Sequence, residues 1–276
     1  MTLSERNIFF KAGITFCSVI TLLILAASFL IMPVYSEMSE DSGRPVNLFQ
    51  FISGRFLENN YYAVHISLII AVLFSLIGML LIHSFFERTS TPEIVYISLF
   101  IASFSFEIIR LILPLHFIYN FPSLYLLSAS RVLLFARCFC IFSLFTAGIF
   151  AAGFEAQRTR NVILIIFVTA LAISLGVPID VLNWDTGLNT GNGYASMFRL
   201  IESAAFIGTV ISFFIAVKVR GSGDYVYVGI GVIFALIGRS MLLGTDNWAG
   251  PVLGILLLSF GTSFLCSKLH KIHLWL

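Results

Sequence analysis

Seven charged side chains interrupt stretches that are otherwise apolar enough to lie in a membrane. The clearest stretch is FEIIRLILPL (Phe106–Leu115), which holds a glutamate and an arginine three residues apart. A charge inside a bilayer is costly, so such residues turn inward, find partners and often mark ion or substrate pathways. The seven residues are Glu107, Arg110, Arg131, Arg137, Arg199, Glu202 and Arg239.

Sequence spacing predicts how these charges pair. Glu107 and Arg110 are three residues apart, as are Arg199 and Glu202, so each pair lies on one helix face and can form an ion pair. Arg137 is rotated by about 120° from Arg131 on an ideal helix, so we expect Arg137 to bond backbone carbonyls elsewhere. The candidate ligand-binding residues are therefore Arg110, Arg131, Arg199, Arg239, Glu107 and Glu202.

The chemistry of these six residues favours an anion. Four arginines meet two glutamates at similar depth, which leaves about two positive charges unbalanced where the dielectric is low. Guanidinium groups bind carboxylate, phosphate or sulfate in a planar, bidentate way. We expect the arginines to contact the anion and the glutamates to hold two of them in place. In the alternative, Asp180 and Asp246 neutralise the excess and the cluster is a closed structural network.

The elements that position these charges are predicted to be membrane-spanning helices. Hydrophobic residues form 59% of the 276-residue chain and charged residues only 11%, less than half the charged share of a typical soluble domain. The apolar residues occur in runs of about 18 or more, the length that crosses a bilayer. We predict an all-α, polytopic integral membrane helix bundle with eight transmembrane helices. The predicted spans are 8–32, 61–84, 93–116, 124–152, 161–182, 197–219, 225–244 and 250–268.

Basic residues predict the orientation of the bundle. With the N-terminus inside, nine lysines and arginines fall in cytoplasmic segments, and two, Arg44 and Arg55, fall on the other side. This bias follows the positive-inside rule. The last two spans are separated by TDNWA (Thr245–Ala249), which suits an interfacial turn. Eight spans place both termini in the cytoplasm, and we expect the inner membrane of a bacterium.

Two loops carry patterns of their own. Residues 45–60 have apolar side chains at helical spacing, which predicts an amphipathic segment on the outer membrane surface. The stretch Asn183–Tyr194 is rich in Gly, Asn and Thr, which is typical of an ordered, turn-rich outer loop.

A short internal similarity predicts a 4+4 parallel repeat. EIVY (Glu93–Tyr96) opens the third span and DYVY (Asp224–Tyr227) opens the seventh, and each span then carries an arginine in its outer half. Transporters use such repeated halves and bind substrate between them.

The sequence favours no catalytic, metal or cofactor site. It contains no HExxH, GxSxG, nucleotide-binding glycine loop or paired-cysteine motif, and its four cysteines all lie within predicted spans. We expect no cofactor, no metal and no nucleic-acid partner. An acid–base role for Glu107 with His116 keeps enzyme activity open, and His65 with His116 is the minimum pair for a haem.

Two functional hypotheses follow. The leading one is an outward-facing, arginine-lined pocket that binds an anionic solute or lipid headgroup for transport or sensing. The alternative is a structural or regulatory membrane subunit whose buried ion pairs lock the bundle or dock a partner membrane protein. Beyond the lipid bilayer, the expected partner is therefore an anion or another membrane protein.

Overall fold

The computed structural model describes residues 3–38, 56, 58–86, 91–154 and 159–274, and most of them are helical. Eight helices in these ranges are long and apolar enough to cross a membrane, which confirms the predicted all-α bundle. The predicted amphipathic segment at 45–60 lies outside the described residues except for residues 56 and 58–60. The elements are α1 (Leu3–Met38), α2 (Tyr61–Phe86), α3 (92–119, in three segments), α4 (Ser123–Ala151), α5 (Thr159–Gly176), β1 (Ile179–Trp184), β2 (Thr190–Asn192), α6 (Ala195–Arg220), α7 (Asp224–Gly244) and α8 (Ala249–Leu274).

Six of the helices close into a ring in which each packs on the next, in the order α2, α3, α4, α6, α7, α8 and back to α2. Helix α1 packs outside the ring on α2 and α3, and α5 packs outside it on α4. The span windows of α1, α5 and the ring helix α6 are each only 22% buried, as expected for helices with a large lipid-facing surface. The ring order is compatible with the 4+4 repeat, in which α2–α4 correspond to α6–α8, and the repeat stays a prediction.

The two ends of the bundle are distinct. The ring of Phe10 in α1 lies 6.4 Å from that of His83 near the end of α2, and His270 near the end of α8 lies 5.4 Å from Phe86. The start of α1 and the end of α8 therefore lie at the same end of the bundle, beside the end of α2. We call this end the termini end. The β1–β2 hairpin lies at the opposite end, which we call the hairpin end.

Glycines allow α7 and α8 to approach each other closely. A Cβ atom added at Gly238 would overlap the backbone nitrogen of Leu258, and one at Gly261 would overlap that of Ala235. Small residues promote such contacts in membranes, where van der Waals packing drives helix association. The seam consists of Gly231 and Gly238 on α7 and Gly254 and Gly261 on α8, each pair seven residues apart. The predicted break between these helices is present at 245–248.

The middle of α3 is a 3-10 helix over Ser103–Leu111. Two local features disfavour a regular α-helix here. The hydroxyls of Ser103 and Ser105 donate to backbone carbonyls three residues earlier, at 2.6 and 2.8 Å, and so compete for helix acceptors. Pro114 has no N–H to offer the carbonyl four residues before it.

This 3-10 segment aligns the two charges of α3. Side chains three residues apart eclipse in a 3-10 helix, whereas they are offset on an α-helix. Phe104, Glu107 and Arg110 therefore lie in one line, and all three are at most 3% exposed. The local backbone thus directs both charges toward the same neighbours inside the ring.

Helix α5 is shorter than predicted, and the predicted span 161–182 is wrong at its end. The helix ends at Gly176 because Pro178 cannot donate to the helix and disfavours helical backbone in the residue before it. Residues that were assigned to the membrane form β1 instead. β1 pairs antiparallel with β2, with Ile179 opposite Asn192 and Asp180 opposite Gly191.

We predict that Gly238→Ala destabilises the protein by about 1–3 kcal/mol, the usual cost of overpacking, because the added methyl group meets the backbone of α8. The measurement is the midpoint of unfolding by denaturing detergent. Gly244→Ala is the control on the same helix, because nothing lies within 4 Å of the added Cβ. Equal effects of the two changes would contradict the close approach of α7 and α8.

Candidate functional site

The buried charges at the hairpin end form one connected cluster, which we call the arginine network. It joins α3, α4, α6 and α7 through five side chains. Three of these are nearly inaccessible, with exposures of 2% for Glu107, 3% for Arg110 and 4% for Arg239. The network consists of Glu107, Arg110, Arg137, Glu202 and Arg239.

Glu107 is the centre of the network. Arg137 Nε donates to Glu107 Oε1 and Arg137 Nη2 donates to Oε2, both at 3.0 Å. Arg110 Nη1 lies 3.6 Å from the same Oε2. A bidentate guanidinium–carboxylate pair is among the stronger and more directional contacts in proteins. One carboxylate therefore holds an arginine of its own helix and an arginine of α4.

Arg239 forms the second ion pair. Its Nη1 donates to Glu202 Oε1 at 2.7 Å, which ties α7 to α6. Its Nη2 lies 3.5 Å from the backbone carbonyl of Arg137, so the two ion pairs touch. The Glu202 side chain is 35% exposed, and the network is therefore more open on the α6 side than around Glu107.

The β1–β2 hairpin lies directly on the network. Arg110 Nη2 donates to the backbone carbonyl of Gly187, and Arg110 Nη1 lies 3.5 Å from that of Leu243. Arg137 Nη2 donates to Asn189 Oδ1 at 2.9 Å. Neutral oxygens of the protein itself thus occupy acceptor positions around the arginines.

The hairpin tip is shaped to make these contacts. Leu188 has a φ of 57°, is fully buried and packs with apolar residues of α3 and α4. Asp185 Oδ1 accepts from the backbone N–H of Asn189 at 2.8 Å, which closes the turn. Thr186 Oγ1 donates to Asp246 Oδ2 at 2.5 Å, so the tip also binds the loop between α7 and α8.

Two gaps beside the network, both lined by described residues, are too small for an anion. The gap lined by Glu107, Arg137 and Arg239 has a volume of about 0 Å³, and the gap beside Arg110 and Leu188 has about 10 Å³. A single water molecule needs about 10–15 Å³ on a comparable measure, and sulfate or phosphate is larger. In this arrangement the arginines bind protein groups, and a ligand would require the hairpin or a helix to move.

Four of the six sequence-predicted site residues lie in the network, and Arg137 was missed. The expectation that Arg137 bonds carbonyls elsewhere is wrong, because it is the bidentate partner of Glu107. Arg131 and Arg137 lie on different faces of the regular helix α4, and Arg137 is the one that faces the network. Arg131 is partly buried, and its Nε has no hydrogen-bond partner among the residues that the structure describes. Arg199 is exposed at the start of α6.

The charge balance of the network differs from the expected excess of two. Three arginines and two glutamates leave one positive charge among the network residues. Asp185 and Asp246 lie within electrostatic range of Arg110 and offset that charge from outside the network. Asp180, the other candidate counter-ion, lies exposed on β1.

Comparison with known proteins adds little about function. The chain is 20% identical over 239 residues to an uncharacterized protein of Treponema pallidum (strain Nichols), in an alignment that covers 69% of each chain. No protein family matches the sequence, and no solved structure matches it. Eight apolar helices with buried charges turned inward decide the class. The chain is a multi-pass membrane protein. Its integral membrane location follows from the same helices.

We predict that Glu107→Gln lowers the free energy of unfolding by about 3–5 kcal/mol, because it leaves two guanidinium groups without their carboxylate in a low-dielectric region. The measurement is unfolding of the purified protein in detergent. Glu58→Gln, at an exposed glutamate, is the matched control and should change the value by no more than about 0.5 kcal/mol. Similar small effects of both changes would show that the Glu107 contacts do not hold the bundle.

Proposed function

We propose that this protein is a structural or regulatory membrane subunit in which the arginine network locks the hairpin end of the bundle. The lock fixes α3, α4, α6 and α7 relative to one another and holds the hairpin tip on top of them. The protein works in this view as a rigid membrane component, rather than as a carrier with a permanently open site.

The observation that carries this proposal is the saturation of Glu107 within a gap of about 0 Å³. Both of its carboxylate oxygens accept from Arg137 at 3.0 Å, and Arg110 flanks the same group. A site made for a free anion would present guanidinium groups to an open volume. Here the guanidinium groups of Arg110 and Arg137 point at a carboxylate, two backbone carbonyls and an amide oxygen.

The lock acts on geometry more than on total stability. Replacing a buried ion pair by apolar residues of similar size is often neutral or stabilising, whereas removing one partner is strongly destabilising. Directional donors therefore select one arrangement of helices and hairpin among several compact ones. A regulatory role follows if another molecule binds the hairpin, because the tip is coupled to four helices.

A second candidate function, anion binding for transport or sensing, is favoured by a separate observation. The Nε atoms of Arg110 and Arg239 are buried and have no hydrogen-bond partner among the described residues. If the hairpin lifts, these donors and the net positive charge become available to an anionic solute or lipid headgroup. In this alternative the hairpin tip covers the site, and its oxygens accept hydrogen bonds from the arginines when no ligand is bound.

The proposed location is the inner membrane of a bacterium, with both termini in the cytoplasm. Two observations support it. Lysine and arginine are concentrated in the segments at the termini end, as the positive-inside rule requires. The similar protein of Treponema pallidum is bacterial.

The two functions are separated by thermal unfolding in detergent with chloride, sulfate, phosphate or succinate at matched ionic strength. The lock predicts that Arg110→Ala lowers Tm by the same amount in every salt. Sulfate and phosphate stabilise many proteins non-specifically, so the informative quantity is the difference between wild type and variant. Arg160→Ala, at an exposed arginine, is the control.

An anion site predicts a different pattern. One anion should raise the Tm of the wild type in a saturable way. At one hundred times its Kd, the corresponding stabilisation free energy is about 2.7 kcal/mol. Arg110→Ala should lose that gain while Arg160→Ala keeps it. This result would overturn the lock and establish the second candidate.

A further inference from the structure

A groove lies between α2 and α8 at the termini end. Its volume is about 350 Å³, within the range of small-molecule sites. Gly78 on α2 and Ser263 and Ser267 on α8 leave space between the two helices, and Ile101 of α3 forms part of the wall. Leu81 and Phe85 are 48% and 60% exposed, so the groove opens toward the lipid.

The groove becomes polar toward the membrane surface. Thr262, Cys266 and His270 follow one another at four-residue steps along α8 and line the groove. Ser263 and Ser267 form a second row, and Lys271 is the next residue at the same spacing. Residues four apart lie on one helix face. The rows therefore lead from an apolar interior to an imidazole and an ammonium group at the end of α8.

His270 is placed to receive a ligand. Its ring packs edge-on against Phe86, with centroids 5.4 Å apart at 90°, which fixes the ring at the mouth of the groove. Its Nδ1 is buried and has no hydrogen-bond partner within the part of the chain that the structure describes. Lys271 is exposed, so its ammonium group is free to approach the headgroup region of the bilayer.

We propose that this groove binds one anionic phospholipid from the leaflet at the termini end, with an acyl chain between α2 and α8 and the phosphate at His270 and Lys271. The apolar walls suit the acyl chain, since the groove opens toward the hydrocarbon core of the bilayer, where the acyl chains of lipids lie. Basic side chains at the membrane surface attract anionic headgroups, and imidazole and ammonium groups donate hydrogen bonds to phosphate oxygens. This site lies at the opposite end of the bundle from the arginine network and does not depend on it.

The probes are phosphatidylglycerol and phosphatidylcholine with identical acyl chains, added to delipidated protein in a non-ionic detergent. Native mass spectrometry counts the lipids retained, and thermal unfolding measures the stabilisation. Phosphatidylglycerol should be retained as a single adduct and should raise Tm in a saturable way, with phosphatidylcholine binding more weakly. Equal retention of the two lipids would overturn the proposal, because it would indicate ordinary boundary lipid.

Three variants locate the site. Ser263→Phe fills the groove and should abolish the single adduct. Lys271→Gln should weaken phosphatidylglycerol binding about five-fold, the effect of one basic group at an anionic surface, and its exposed position keeps the fold intact. Ser203→Phe, at an exposed serine of α6, should leave binding unchanged. If neither Ser263→Phe nor Lys271→Gln weakens binding relative to Ser203→Phe, the groove is not the site.

Discussion

The structure depends on one constraint, which is that a carboxylate buried among membrane helices must have cationic partners fixed beside it. Glu107 is 2% exposed, and an uncompensated charge in such a place is strongly unfavourable. Arg137 and Arg110 satisfy it from two directions. Because these partners stand on α4 and on the next turn of α3, satisfying Glu107 also fixes how those two helices are rotated against each other.

The rest of the hairpin end follows from this pairing. The 3-10 segment of α3 brings Glu107 and Arg110 into one line, and the donors of Arg110 and Arg137 that remain then need acceptors. The hairpin tip supplies them through the Gly187 carbonyl and the Asn189 amide. Leu188 adds an apolar anchor, and burial of one leucine contributes about 1.5–3 kcal/mol. The hairpin between α5 and α6 is thereby held by polar and apolar contacts together.

The sequence predicted the helices well because crossing a bilayer constrains length and composition directly. It also predicted the Glu107–Arg110 pair, since three-residue spacing brings the side chains together on either helix type. The partner of Glu107 on α4 depends on how α3 and α4 are rotated, which no single-helix argument contains, so Arg137 was assigned elsewhere. The early end of α5 was missed although Pro178 signalled it. The contacts of the hairpin tip with the arginine network could not be predicted, because the composition of a turn-rich loop does not indicate which residues the loop packs on.

The most direct test of the account is the coupling free energy between Glu107 and Arg137, obtained from a double-mutant cycle of Glu107→Gln and Arg137→Gln. Residues that share a buried ion pair typically couple by about 0.5–3 kcal/mol. The account predicts a value in the upper part of that range, with the double variant less destabilised than the sum of the single variants. Additive effects of the two changes would contradict a bundle that is locked through this pair.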